Sequence, residues 1–396
     1  LLITTKGKFP IGVLKDHPRF SWRGQHLDCA RHFFQVETII RLLDLMSLVK
    51  LNRFHWHFSD DEAFRIEIPS LPKLWMKSLD RGEDEIVPGV FGGGTKAGGS
   101  YSISDVQEIV THAKSLHIEV LPEIEMPAHA FSLTRIYPQT RDPKDKGLEE
   151  SVQGYDKNVL NPACSETWDI VKKLVTDIVP LFPFNYLHLG CDELPKDSWL
   201  GSPMIKQLME KHNLKTIDDV QGWTMAKVAA IVREHGACPA AWEEAMAGKD
   251  GGIGTDSLIF SWKGQKAGVS AAQAGYKVVM CPAQNVYLDM AHCSDKEDWG
   301  ASWAAFISLE ETVNWEPVPA SIRDYQDNVV GVQGNFWGEF TQLDDQLDPM
   351  ITPRILGISI KSWEQAQRTT GSDLRSLAGH YRDIFDQFSW NWNRNA

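Results

Sequence analysis

The sequence predicts an α/β protein, a TIM (β/α)8 barrel with long loops at the C-terminal face of its strands. Short apolar runs alternate with helical patterns along nearly the whole chain, the signature of βα units and a parallel sheet. The runs number eight, more than the five or six of an open doubly wound sheet. The first is also followed by no GxGxxG phosphate turn, which such a sheet would carry.

The elements follow in order. "WRGQHLDC" (22–29) is the first strand, and a helix follows with apolar residues at Val36, Ile39, Ile40, Leu43 and Met46, one face of a 3.6-residue period. "LNRFHWHF" (51–58) is the second strand. A helix with Ser104 as N-cap and Glu108 soon after leads into "IEVLPEIEM" (118–126), the third. A helix over about 166–179 leads into "NYLHLG" (185–190), and one over 216–235 into "ACPAAW" (237–242). "SLIFSW" (257–262), "KVVMC" (277–281) and "NVVGVQGNFW" (328–337) complete the set. Connections 59–101, 124–165 and 282–327 are longer than ordinary loops and all follow strands, so the barrel places them at its catalytic rim. The glycine-rich "GVFGGGTKAGGS" (89–100) lies in the first of them and precedes no Walker lysine, so it reads as a mobile loop. Residues 1–17 form a lead-in, and 18–396 form the barrel domain with a C-terminal helix.

Composition narrows the function. A chain of 396 residues with 42% hydrophobic and 23% charged residues has the make-up of a globular enzyme. A net charge of −13 opposes a nucleic-acid partner, which needs basic clusters. No apolar run approaches the roughly 20 residues of a membrane span. The six cysteines form no CxxC pair and signal neither structural zinc nor a redox motif; they read mainly as buried free thiols, with one or two disulfides left open. The first residues, "LLITTKGKFP", lack the zones of a secretory signal, as a processed start also would. Fifteen tryptophans offer flat apolar faces, for packing and for stacking on sugars.

Side chains just past the strand ends of a barrel converge on one mouth. Here they are Asp28 and Arg31; His55, His57 and Asp60; Glu123, Glu125 and His129; and His188, Asp192 and Glu193. Strands five and six end at Trp242 and Trp262, the stretch after seven carries Tyr287 and Asp289, and strand eight ends at Trp337 with Glu339. Taken singly, Arg31 could pair with a carboxylate on the first helix, and His55 and His57 could be core histidines. Taken together they have the composition of a carbohydrate pocket, where carboxylates and arginine meet hydroxyls and indoles face C–H surfaces. Asp192 and Glu193 are neighbours, and strand neighbours point to opposite faces. They are therefore poorly arranged as the nucleophile and acid of an ordinary retaining glycosidase, whose carboxyls lie about 5 to 5.5 Å apart.

Five stretches, "WRGQHLDCARHFF", "LNRFHWHFSDDEAFRIE", "EVLPEIEMPAHA", "YLHLGCDELP" and "GNFWGEF", together resemble glycoside hydrolase family 20, the β-N-acetylhexosaminidases, from about residue 18 to 365. The resemblance implies a substrate-assisted retaining mechanism in which the sugar's 2-acetamido oxygen attacks the anomeric carbon, giving an oxazolinium. It implies Glu193 as general acid and base and Asp192 as the residue that orients the acetamido N–H. Tyr287 would bind the acetamido carbonyl, and Trp242, Trp262 and Trp337 would wall the pocket. Arg31 would grip ring hydroxyls with Asp60 holding it, Glu339 and Asp289 would contact further hydroxyls, and His129 would support the catalytic pair. No metal and no cofactor is implied. The implied substrate is an oligosaccharide with terminal β-linked N-acetylglucosamine, or N-acetylgalactosamine, from chitooligosaccharides or glycans.

Departures from the family pattern are specific. The usual "DMPGH" reads "EMPAH", which makes Glu125, one methylene longer, the expected acidic partner of His129. Cys191 stands where glycine is common. Relatives usually carry a small α/β domain ahead of the barrel, so residues 1–17 read as its remnant or as the start of a branch without it. Two other functions fit parts of the same pattern. A metal-dependent barrel hydrolase would use "HWH" with His129, His188 and Asp192, and zinc-restorable loss of activity on chelation would mark it. A non-catalytic sugar-binding module would use the same pocket without cleaving the sugar.

Overall fold

A computed structural model describes residues 8, 11–13, 15–82, 96–145, 158–250, 252–365 and 368–395. Eight parallel strands close into a barrel: β1 (Trp22–Asp28), β2 (Arg53–His57), β3 (Glu119–Glu123), β4 (Tyr186–His188), β5 (Cys238–Trp242), β6 (Leu258–Ser261), β7 (Lys277–Met280) and β8 (Val329–Gly334). Each pairs with its sequence neighbours and β8 returns to β1, so every expected strand is present in the expected order.

Alternation along β2 shows how one strand serves two layers. Phe54 and Trp56 pack outward in the hydrophobic shell under the helices, while His55 and His57 point inward, and all four are fully buried. The outer layer is built by helices such as Val36–Leu48, which buries Ile39, Leu42, Leu43 and Met46 at the expected spacing. The barrel interior departs from the usual layers of branched aliphatics. His26, His55, His57, Glu123, His188, Gln333 and Asn335 are all completely buried. Buried polar groups are costly without partners, and several here partner one another: His57 donates to Glu123, and Gln333 donates to His55 and to Asn335. Register explains how they meet: Asp28 pairs with His57, His57 with Glu123, and Glu123 with His188. Four polar residues from four successive strands thus lie side by side just below the mouth.

Helix starts correct one expectation. The helix before β3 spans Ile103–Ser115, and its cap is Ser102, not Ser104. Ser102 accepts from the Asp105 N–H while the Asp105 carboxylate accepts from the Ser102 N–H. That reciprocal box satisfies two orphan donors, which a cap at Ser104 with Glu108 four residues on would not do. Thr216 with Asp219 and Thr370 with Asp373 repeat the device at Ile217–Glu234 and Gly371–Gln387.

Long connections behave differently from one another. In 59–101, a helix at Pro72–Lys77 and a two-residue ribbon pairing Asp80–Arg81 with Ala97–Gly98 give local order. The glycine-rich stretch expected to be mobile lies mostly outside the described residues. In 282–327, buried Arg354 donates to the carbonyls of Leu288, Met290 and Ile307 and so pins the loop from beneath. Of the cysteines, Cys29, Cys164, Cys191 and Cys281 are buried, Cys238 and Cys293 are exposed, and all six are free.

Candidate active site

Arg31 sits where the chain turns after β1. Asp28 Oδ1 accepts from the N–H groups of Ala30 and Arg31, so the turn itself aims the guanidinium. Four carboxylates surround that one cation. Asp60 lies at 2.9 Å, Glu62 at 2.9 Å, Asp28 at 3.2 Å and Glu339 at 3.9 Å, and the Trp337 ring is 5.3 Å from Cζ. One cation cannot hold four anions in a desolvated corner. Asp60 and Asp28 stay ionised because Arg31 and neighbouring histidines outweigh their burial. Burial pushes Glu62 up to about 8, and it raises Glu339 as well.

From Asp60 the network runs toward the carboxylate pair. Asp60 Oδ1 accepts from His129 Nδ1 at 3.1 Å and Oδ2 accepts from His57 Nε2 at 3.0 Å. His129 Nε2 lies 3.3 Å from Glu193 Oε2 and 3.7 Å from Asp192 Oδ2. His129 is held well above the usual histidine range by the carboxylates of Asp60 and Asp192 despite its burial. The acidic partner of His129 is therefore Asp60, not Glu125 as expected. Glu125 is buried with neither carboxyl oxygen hydrogen-bonded among the described residues, and burial together with Asp192 and Glu123 raises it well above the carboxylate range. The Glu125 carboxyl lies directly under Gly190, where a Cβ would collide with Glu125 Oε2, and Gly190 has φ +62°. The glutamate's extra methylene places its carboxyl beneath the catalytic turn.

Asp192 and Glu193 are not strand neighbours. β4 ends at His188, and the chain then passes through left-handed conformations at Gly190, Cys191 and Glu193. That turn breaks the alternation expected of a strand, and both carboxylates face the same cavity. Asp192 is largely buried and its Oδ1 meets no hydrogen-bond partner among the described residues, whereas the Glu193 side chain is 37% exposed at the mouth. Desolvation raises Asp192 to about 7, against the pull of His129. Cys191, with a buried thiol raised well above its usual range, accepts from Gln221 and stays out of the cavity.

The cavity, about 880 Å³ including its open mouth, is walled by indoles from several strand ends. Trp242 donates from Nε1 to Glu123 at 2.9 Å, and Trp262 donates to Glu244 at 3.3 Å, so each ring is fixed by a hydrogen bond at its edge. Trp337 packs against Trp242 and Tyr287 at 5.9 and 6.2 Å between centroids. Tyr287 is placed by pairing with Asn335, next to β8. Asp289, two residues on, is buried with Oδ1 unpartnered among the described residues.

Ten of the eleven residues singled out in the sequence line this cavity: Arg31, His129, Asp192, Glu193, Trp242, Trp262, Tyr287, Asp289, Trp337 and Glu339. Asp60 does not, and stands behind Arg31 and His129. The sequence reading passed over Glu62, which holds Arg31, and Trp303 and Phe340, which line the mouth at 61% and 47% exposure. The signal for Trp303 was a tryptophan-rich run, "DWGASW", inside a loop too long to be a simple connection.

Charges balance around this core. Arg31, His57 and His129 are cationic, and Asp28, Asp60 and Glu123 are anionic. Glu123, beside His26 and His55, already accepts from His57 and Trp242.

A parallel eight-stranded barrel whose mouth joins a carboxylate pair, an arginine clamp and indole walls is the architecture of a glycoside hydrolase. The chain belongs to glycosyl hydrolase family 20: residues 20–366 match the description "Glycosyl hydrolase family 20, catalytic domain". It is 34% identical over 352 residues to a Beta-hexosaminidase of Vibrio furnissii, covering 88% of this chain and 57% of that protein. It is 31% identical to a Beta-hexosaminidase of Porphyromonas gingivalis, covering 91% of this chain and 45% of that one. The chain thus spans about half the length of these relatives. The crystal structure of a GH20 exo β-N-acetylglucosaminidase from Vibrio harveyi in complex with N-acetylglucosamine superposes with a TM-score of 0.89 at 33% identity, covering 95% of this chain and 59% of that one.

Proposed function

We propose that this protein is an exo-acting β-N-acetylhexosaminidase that removes terminal β-linked N-acetylglucosamine from chitooligosaccharides or glycan ends by a substrate-assisted retaining mechanism. The observation that carries the reading is the placement of Asp192 and Glu193. Both come from one turn and both approach one histidine nitrogen, at 3.7 and 3.3 Å. Two carboxyls set side by side are poorly placed to attack and protonate from opposite sides of one bond, which supports the substrate-supplied nucleophile that the family resemblance implies. Glu193, at the open mouth, protonates the leaving oxygen and later deprotonates water. The unpartnered Asp192 Oδ1 accepts the acetamido N–H and steadies the positive charge that develops as the oxazolinium forms.

The remaining residues take the sugar. Trp242, Trp262 and Trp337 enclose the N-acetyl group and ring and exclude water, which strengthens each polar contact. Tyr287 donates to the acetamido carbonyl and so holds the attacking oxygen in place. Arg31, braced by Asp60 and Glu62, meets ring hydroxyls together with Glu339 and Asp289, whose unpartnered Oδ1 a hydroxyl would satisfy. The N-acetylglucosamine complex of the Vibrio harveyi relative supports that sugar as one this pocket takes.

Two outcomes are expected. An aryl β-N-acetylglucosaminide is cleaved with net retention, so proton NMR in the first minutes shows the β-anomer of the free sugar; an initial α-anomer would mean direct attack by water. Asp192 must be ionised to steady the positive charge that develops on the acetamido group, and it is raised to about 7 in the free enzyme. On its account kcat/KM rises with pH up to about 7 and falls roughly tenfold per unit well below that, in a pH–rate profile. A profile flat down to about pH 5 would contradict the role given to Asp192.

A further inference from the structure

One carboxylate below the mouth touches both halves of the site and does not itself line the cavity. Glu123 ends β3 and is fully buried. Its Oε2 accepts from His57 Nδ1 at 2.6 Å, and from there the contacts run through Asp60 and His129 to Glu193, at 3.0, 3.1 and 3.3 Å. Its Oε1 accepts from the Trp242 indole N–H at 2.9 Å, and His188 Nδ1 lies 2.7 Å away. One carboxylate therefore holds a pocket wall with one oxygen and starts a relay to the acid/base with the other.

We propose that Glu123 is a positioning residue that sets the charge of the relay behind Glu193 and the orientation of the Trp242 wall in a single contact. The inference rests on the acid/base role proposed for Glu193. Physical chemistry supplies the link. An imidazole buried without exposure loses its proton unless anions repay the desolvation. Facing His57 are Asp28 at 3.9 Å and the His26 ring from β1, Asp60 from the turn after β2, Glu123 from β3 and Glu125 just past it, and the Trp337 ring past β8. Of these, Glu123 and Asp60 hydrogen-bond it, and together they raise it to about 10. The other rings against Glu123 differ. His26 at 3.7 Å and His55 at 3.1 Å are pushed down by burial and stay neutral. The charge on Glu123 thus acts through two close contacts, His188 Nδ1 at 2.7 Å and His57 Nδ1 at 2.6 Å, and of the two it is His57 that continues toward Glu193 through Asp60 and His129. Without that charge, burial would strip His57 of its proton, Asp60 would lose a cationic donor, and the charge presented by His129 to Glu193 would change. Trp242 would lose its acceptor at the same time.

The test uses the whole chain. For Glu123→Gln, kcat/KM on an aryl β-N-acetylglucosaminide is expected to fall about 10- to 100-fold. Its pH profile should also gain an ionisation absent from wild type, as His57 begins to titrate within the assay range. A purely structural defect would lower the rate equally at every pH, and that result, or a folded variant with wild-type rate and profile, would overturn the proposal. Should the variant fail to fold, histidine-labelled wild-type protein decides by NMR, with His57 assigned from His57→Gln. The His57 ring is expected to remain doubly protonated to about pH 9, and titration below about pH 7 would overturn the proposal. Full activity of Glu193→Gln would instead remove the proposed function and leave the His57 measurement standing.

Discussion

Replacing Glu193 by Gln is expected to lower kcat/KM on an unactivated β-N-acetylglucosaminide by about 10³-fold, within the range that general acid–base catalysis contributes. The amide keeps the size of the side chain and its place 3.3 Å from His129 but has no proton to give. The size of the loss should depend on the leaving group. A dinitrophenolate departs without protonation, so its glycoside should react with a much smaller deficit in the step that forms the intermediate. Comparing the variant and wild type on aryl glycosides of graded leaving-group acidity measures this directly. A deficit independent of the leaving group would mean that Glu193 does not donate the proton.

Asp192→Asn is expected to reduce kcat by about 10²- to 10³-fold while substrate affinity changes little, because the contact matters most when the acetamido group carries charge. Steady-state kinetics with a competitive sugar ligand separates the two effects, and a loss confined to affinity would refute the orienting role. The same substitution has a signature in stability. The Asp192 carboxyl is raised from an ordinary 3.8 to about 7 in the folded protein. Between those values the native state binds more protons than the unfolded state, so on this group's account stability falls as pH rises through the interval. Asn carries no such charge. The variant should therefore melt above wild type at about pH 8, and this advantage should vanish near pH 4. A residue that costs stability when ionised and is retained at the cavity wall is there for function.

Much of this arrangement could be read from residue order because barrel topology converts sequence position into spatial position. All eight strands were visible as apolar runs, and once the barrel was inferred, residues past their ends had to share a mouth. Arg31, Trp242 and Glu339 are far apart in sequence and line one cavity for that reason. What remained hidden depended on backbone detail. The turn through Gly190, Cys191 and Glu193 has left-handed residues that strand periodicity cannot foresee, so the facing of Asp192 and Glu193 was misjudged even though their separate duties were suspected. The pairing of His129 with Asp60, rather than with Glu125 four residues away, depends on where three loops meet. Trp303 was missed because no periodicity places a residue inside a connection as long as 282–327. The partners of His55 and His57 were likewise beyond periodicity, since a buried polar layer and an apolar one share the same alternation.

Nucleophilic participation by the substrate's own acetamido group is the central claim, and a series of aryl glycosides bearing acetyl, fluoroacetyl, difluoroacetyl and trifluoroacetyl groups on the 2-amino nitrogen tests it most directly. Each fluorine withdraws electrons from the carbonyl oxygen and changes the volume of the group little. If that oxygen attacks the anomeric carbon, kcat must fall steeply and progressively along the series for wild-type enzyme. A kcat that does not vary with the number of fluorines would contradict the account, since the acetamido oxygen would then take no part in breaking the glycosidic bond.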